Sequence, residues 1–157
     1  MRHSLRIGLN FGVTSGVITT LGLLVGLYSG THSKAVVVGG ILLIAIADAF
    51  SDSIAIHISE ESSGSHSERA IWEITLFTFV FKFLFALTFV VPVLFLDLRY
   101  AIMASVAWGY LLLAALSYRI AREQRVKAWQ VIGEHLLVAT LVIVVTQYVG
   151  SWIAKLS

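Results

Sequence analysis

Gly39-Gly40-Ile41-Leu42-Leu43-Ile44-Ala45-Ile46-Ala47-Asp48-Ala49-Phe50-Ser51-Asp52-Ser53-Ile54-Ala55-Ile56-His57-Ile58-Ser59-Glu60-Glu61-Ser62 is the stretch on which the reading of this chain turns. Its first half is apolar enough for lipid or a dry core. Its second half carries two carboxylates one helical turn apart while the segment still has the length of a membrane span. At about 100° per residue, Asp48, Ser51, Asp52, Ala55, Ser59 and Ser62 fall on one stripe. An acid near the centre of a spanning helix costs at least ~2.5 kcal/mol, so such acids face a water path or a charged partner.

Composition extends the reading to the whole chain. Hydrophobic residues make up 58% and charged residues 13%, against about a quarter charged in soluble domains. That mixture cannot cover a water-exposed surface, and it predicts an integral membrane protein. The basic residues are dispersed and the net charge is only +2, which excludes a nucleic-acid-binding patch. Cysteine is absent, which excludes disulfides, thiolate metal sites and redox motifs. Arg2 and Arg6 before an apolar run resemble a signal peptide, but no small-residue cleavage site follows, so the first span is expected to be retained.

Five apolar segments approach or exceed the length needed to cross a ~30 Å core. They run over about 7–28, 35–58, 70–96, 101–118 and 129–153. Short polar breaks at 29–34, 59–69, 97–100 and 119–128 separate them. Tyr28, Trp72, Tyr100, Tyr118, Trp129 and Trp152 lie near span ends, as an aromatic belt requires. The expected architecture is a single all-α membrane domain over residues 1–157 with five transmembrane helices. In a prokaryotic cell it belongs in the plasma membrane. Arg2, Arg6, Arg69, Arg119, Arg122, Arg125 and Lys127 fall on one side, and Lys34, Arg99 and Lys155 on the other. Positive-inside then places the amino terminus in the cytoplasm.

The first span carries two glycine ladders at spacing four, Gly8, Gly12, Gly16 and Gly22, Gly26, Gly30. Such faces allow close backbone approach, either within one subunit or across a homodimer interface. Ser15 and the threonines of this span are expected to bond back to their own helix carbonyls. In the third span, Lys82 sits among phenylalanines, too deep to snorkel, with Thr75 and Thr78 on its helical face. Depth counted from the shared loop places Asp48 opposite it, predicting an Asp48–Lys82 ion pair that either locks two helices or takes part in ion movement. Asp52 has no partner assignable from depth. Pro92 is expected to bend or end the third span. In the fifth span, Glu134 and His135 are either cation ligands or proton relays, or interfacial solvated groups. With Asn10, these polar residues fall toward the cytoplasmic side, which predicts a polar cavity open there in preference to several unrelated polar contacts. Glu60, Glu61, His66 and Glu68 belong to a connection that either collects metal weakly or is simply solvated.

Gly8-Leu9-Asn10-Phe11-Gly12, Gly26-Leu27, the second span ending His57-Ile58-Ser59-Glu60-Glu61-Ser62, Pro92, and Thr146-Gln147-Tyr148-Val149-Gly150 resemble the vacuolar iron transporter family. The resemblance extends over essentially the whole chain. It implies a homodimeric exporter of cytosolic Fe²⁺ or Mn²⁺, in some members by proton exchange, with the path lined by the first two helices at the dimer interface. The chain departs from that pattern in four places. Phe11 replaces an expected acid, Asp52 an expected methionine and Ile56 an expected acid. The acidic cytoplasmic helices of many members are replaced by residues 59–69. Asp52 exchanges a soft ligand for a hard one, favouring Mn²⁺ or a more hydrated Fe²⁺. The resulting expectation is a divalent-cation transporter. Asp52 and Asp48 are the metal ligands, Glu134 and His135 are accessory groups, and Lys82 is the coupling or ion-pair residue, with the metal as cargo rather than cofactor. A non-transporting membrane scaffold, or a carrier of another solute, is the alternative. An enzyme is not expected, since there is no His-Glu-x-x-His motif and no pair of aspartates on separate helices.

Overall fold

A computed structural model of the chain describes residues 3–156, and almost all of them are helical. The helices are α1 (His3–Thr31), α2 (Lys34–Ser63), α3 (Glu68–Thr88), α4 (Val90–Phe95), α5 (Leu98–Gln124) and α6 (Ala128–Ile153). With α3 and α4 taken as one interrupted rod, five helices are long and apolar enough to cross a membrane. The turns between them are tighter than the polar breaks in the sequence suggest. Glu60 and Glu61 continue α2, and Arg119 to Gln124 continue α5. Polar residues past the apolar run still make helical hydrogen bonds, so hydropathy ends before the helix does.

The ends are set by local chemistry. Ser33 accepts from Val36 N–H to start α2, and Ser67 accepts from Ala70 N–H to start α3. Gly64 ends α2 with φ +63° and donates its N–H to Glu61 O, a left-handed cap that favours glycine. Pro92 explains the interruption of the third rod. Its ring clashes with the carbonyl of Thr88 and it offers no N–H there. The helix accordingly breaks at Phe89, whose N–H turns back to Ala86 O at 3.2 Å.

Helix α1 is the central rod and packs against α2, α3, α5 and α6. Both glycine ladders are used inside the chain. A Cβ on Gly12 would lie 2.7 Å from Thr78 O, and one on Gly8 2.8 Å from Thr78 N, so this half seats the backbone of α3. Gly22, Gly26 and Gly30 face Val142, Thr146 and Gly150 of α6. Both ladders pack against neighbouring helices of the same chain. Val17, Leu21, Leu24, Val37, Ile41, Phe89 and Leu113 form the core around α1.

The segments expected to share a side do so. At one end His3 stacks on His66, Ser4 donates to Glu73, and Arg6 lies 3.7 Å from Glu123. At the other, Lys34 donates to Leu94 O and Leu96 O at 2.9 and 3.2 Å, and Gly30 approaches Gly150. Arg2, counted with the basic end in the sequence, lies outside the described residues.

Candidate functional site

The buried stripe of α2 is Val37, Ile41, Ala45, Ala49 and Ser53, every fourth residue. Asp48 and Asp52 each precede a member of that stripe, so they stand at its edge, with side chains 22% exposed. From α3, Lys82 reaches the same seam and is only 2% exposed. Room for it comes from α1. A Cβ on Gly16 would lie 3.1 Å from Lys82 O and 3.2 Å from its Cγ. The small face of α1 therefore lets a lysine lie flat between three helices.

The ammonium is fully coordinated. Lys82 Nζ lies 2.6 Å from Asp48 Oδ2, donates to Ser15 Oγ at 2.8 Å, and also donates to Asp52 Oδ2. Ser15 in turn donates to Asp52 Oδ2 at 2.5 Å. The expected Asp48–Lys82 pair is present. Asp52, which depth alone left without a partner, is the more heavily held of the two acids. Ser15 is the residue that sequence reasoning passed over. Serine in an apolar helix commonly bonds its own carbonyls, whereas this one spans to two other helices. Its adjacency to Gly16 is the signal that could have found it, since a flat patch of α1 marks where a neighbour's side chain enters.

With one ammonium and two carboxylates, the cluster carries one surplus negative charge. Asp48 Oδ1 and Asp52 Oδ1 make no hydrogen bond among the described residues. The cluster also sits near the midpoints of α2 and of the α3–α4 rod, deeper than a strictly one-sided placement requires.

The other expected site residues lie elsewhere. His135 Nδ1 is 2.6 Å from Ser117 Oγ on α5, and Glu134 is exposed on α6. Asn10 accepts from Arg119 Nη2. His135 and Asn10 pair off separately and Glu134 faces outward, so these groups do not line one cavity with Asp48 and Asp52. No three His, Asp or Glu side chains among the described residues are grouped to hold a metal ion.

At the basic end, a cavity of about 410 Å³ opens between α2 and α3, lined by His57, Glu61, Glu68, Ile71 and Trp72. His57 packs on Trp72 with ring centres 4.5 Å apart, and its Nδ1 is 2.8 Å from Thr75 Oγ1. Thr75 has one hydroxyl hydrogen and directs it to Ile71 O at 2.8 Å. Both contacts are hydrogen bonds only if His57 Nδ1 donates, which leaves Nε2 as the basic nitrogen. On the same face of α3, Thr78 is fully buried with its hydroxyl unpartnered, one turn from Lys82. His66 lies 2.8 Å from Glu60, one of the acids grouped with it in the sequence, and stacks on His3.

Fold and site together define a class: an all-helical bundle of five membrane-length apolar helices with a buried lysine paired to two part-buried aspartates. Comparison with protein-family models, with curated proteins and with solved structures finds no match to this chain.

Proposed function

We propose that this chain is a multi-pass integral membrane transporter that exports a divalent transition-metal cation, Fe²⁺ or Mn²⁺, from the cytosol. In this reading the amino terminus is cytoplasmic, the working unit is a homodimer, and Asp48 and Asp52 receive the cargo. The observation that carries it is the surplus carboxylate of a cluster near the middle of three helices. A purely structural ion pair needs one acid for one base, and a second acid near the middle of a span is costly unless a cation visits it. The resemblance to the vacuolar iron transporter family supports the same cargo. Lys82 must withdraw its charge before a dication can occupy both carboxylates, by moving aside or by releasing a proton. In the second case, a proton released on loading and regained from the far side after the cargo leaves couples export to proton entry. Glu134 and His135, separated from the cluster, are accessory groups near the cytoplasmic entrance.

A second reading is a non-transporting scaffold, favoured by the complete coordination of Lys82 and its near-total burial. Uptake of Fe²⁺ and Mn²⁺ into proteoliposomes, with and without a pH gradient, separates the two. The transporter reading expects flux that is lost in Asp52→Asn and uncoupled from the gradient in Lys82→Met. The scaffold reading expects Asp52→Asn to change stability and no flux in any protein. Folded wild type that carries no divalent ion under any gradient overturns the proposal.

A further inference from the structure

The two aspartates are not equivalent, and their difference assigns roles the sequence could not. Lys82 Nζ donates hydrogen bonds to Ser15 Oγ at 2.8 Å and to Asp52 Oδ2, and lies 2.6 Å from Asp48 Oδ2 as an ion pair. The single hydrogen of Ser15 goes to Asp52 Oδ2 at 2.5 Å. Asp52 thus accepts two hydrogen bonds from two different helices, and those two donors are themselves bonded to each other. Asp48 is held by the ion pair. Hydrogen bonds to charged groups are the strong ones, so the second bond on Asp52 matters more than a neutral contact would. The closed Lys82–Ser15–Asp52 ring holds one positive and one negative charge and is neutral. Asp48 is the charge left over.

We infer that Lys82, Ser15 and Asp52 form a fixed neutral triad and that Asp48 is the exchangeable carboxylate, the group that first takes an incoming cation. This rests on the transporter reading and reverses the order of the two acids expected from the sequence, where Asp52 came first as metal ligand. Ser15 is then a positioning residue. By holding Asp52 against Lys82, it keeps the ammonium engaged on one side and leaves Asp48 the only partner that can be traded. The free Oδ1 of Asp48, at the 22% exposed edge of α2, is the atom through which the trade begins.

The test is thermal unfolding of the full chain in detergent for wild type, Asp48→Asn, Asp52→Asn, Ser15→Ala and Ser15→Thr, each with and without Mn²⁺. Removing the surplus charge should leave Asp48→Asn melting at or above wild type. Asp52→Asn and Ser15→Ala should melt lower by roughly 5 °C, the loss of one charge-assisted hydrogen bond, and Ser15→Thr should recover it. Mn²⁺ should raise the melting temperature of wild type and of Ser15→Ala but not of Asp48→Asn. The inference is overturned if Asp48→Asn melts as low as Asp52→Asn or fails to fold. It is also overturned if the Mn²⁺ shift survives in Asp48→Asn, or if Ser15→Ala melts like wild type. A wild type that Mn²⁺ does not shift counts against the metal cargo, while the melting order of the variants still decides the roles of the two aspartates.

Discussion

At the scale of the residue, Lys82 is a buried cation held between three helices. It is among the largest fully buried side chains, and both of its counter-ions come from one helix, one turn apart. Truncating one partner of a buried pair leaves an uncompensated charge, which costs about 3–5 kcal/mol. Lys82→Met is therefore expected to lower the unfolding free energy in detergent by about that amount, since it strands two carboxylates at once. Adding Asp48→Asn and Asp52→Asn to Lys82→Met should recover most of the loss, because the charges then leave together. If the triple variant stays as unstable as Lys82→Met, the cluster's contribution is not electrostatic. Part of this cluster was legible beforehand. Counting residues from a shared turn gave Lys82 and Asp48 a common depth, because rise per residue is fixed in a helix. The rotation of α2 about its axis was not legible, and it decides that Asp52 reaches Lys82 as well. Ser15 stayed hidden because a hydroxyl has bonding options within its own helix.

At the scale of the element, the decisive features are the two small faces of α1. One faces α3 and the other faces α6, so the central helix is gripped from two directions at two heights. The faces differ in a measurable way from the glycines that pack against nothing. A Cβ at Gly12 would meet Thr78 O at 2.7 Å, a backbone atom that cannot swing away, whereas Gly39 and Gly133 have nothing within 4 Å. Gly12→Ala is expected to destabilise the bundle by about 1–3 kcal/mol through overpacking. Gly39→Ala and Gly133→Ala should be neutral or stabilise by up to about 1 kcal/mol, from helix propensity alone. Thermal unfolding of the three variants checks this, and a Gly12→Ala protein as stable as Gly39→Ala would mean that α1 and α3 do not touch as closely as described. The five rods were readable from hydropathy because apolar length is what a span requires. Their ends were not, since Ser59 to Ser63 and Arg119 to Gln124 are polar yet helical. The spacing-four glycines announced close packing but could not name the partner, because the same face serves a neighbour in the chain or a second copy equally well.

At the scale of the whole molecule, an odd number of membrane-length helices sets the two ends of the chain on opposite faces of the bundle. The basic residues gather on one of those faces: Arg6, Arg69, Arg119, Arg122, Arg125 and Lys127, with Arg6 and Arg119 paired to Glu123 and Arg69 to Glu73. The other has Lys34, Arg99 and Lys155, of which Lys34 is occupied with the carbonyls ending α4. Positive-inside insertion counts lysines and arginines flanking short loops, and all the turns here are short. The basic face should therefore be cytoplasmic, with the cavity beside His57 opening to the cytosol and export running toward the Lys34 face. The absence of cysteine makes this testable without removing native thiols. Ser65→Cys and Val126→Cys lie in turns of the basic face, while Asp97→Cys, at a cap that makes no side-chain bond, and Lys155→Cys lie on the other. A membrane-impermeant maleimide added to intact cells should label Asp97→Cys and Lys155→Cys, and should label Ser65→Cys and Val126→Cys only after lysis. The opposite pattern would invert the molecule, and with it the direction of transport. Labelling of Ser65→Cys together with Lys155→Cys in intact cells would mean that the five helices do not each cross the membrane. The electrostatic argument predicts the first pattern because moving six basic residues to the outer side, in place of three, is opposed by the rule that fixes topology during insertion.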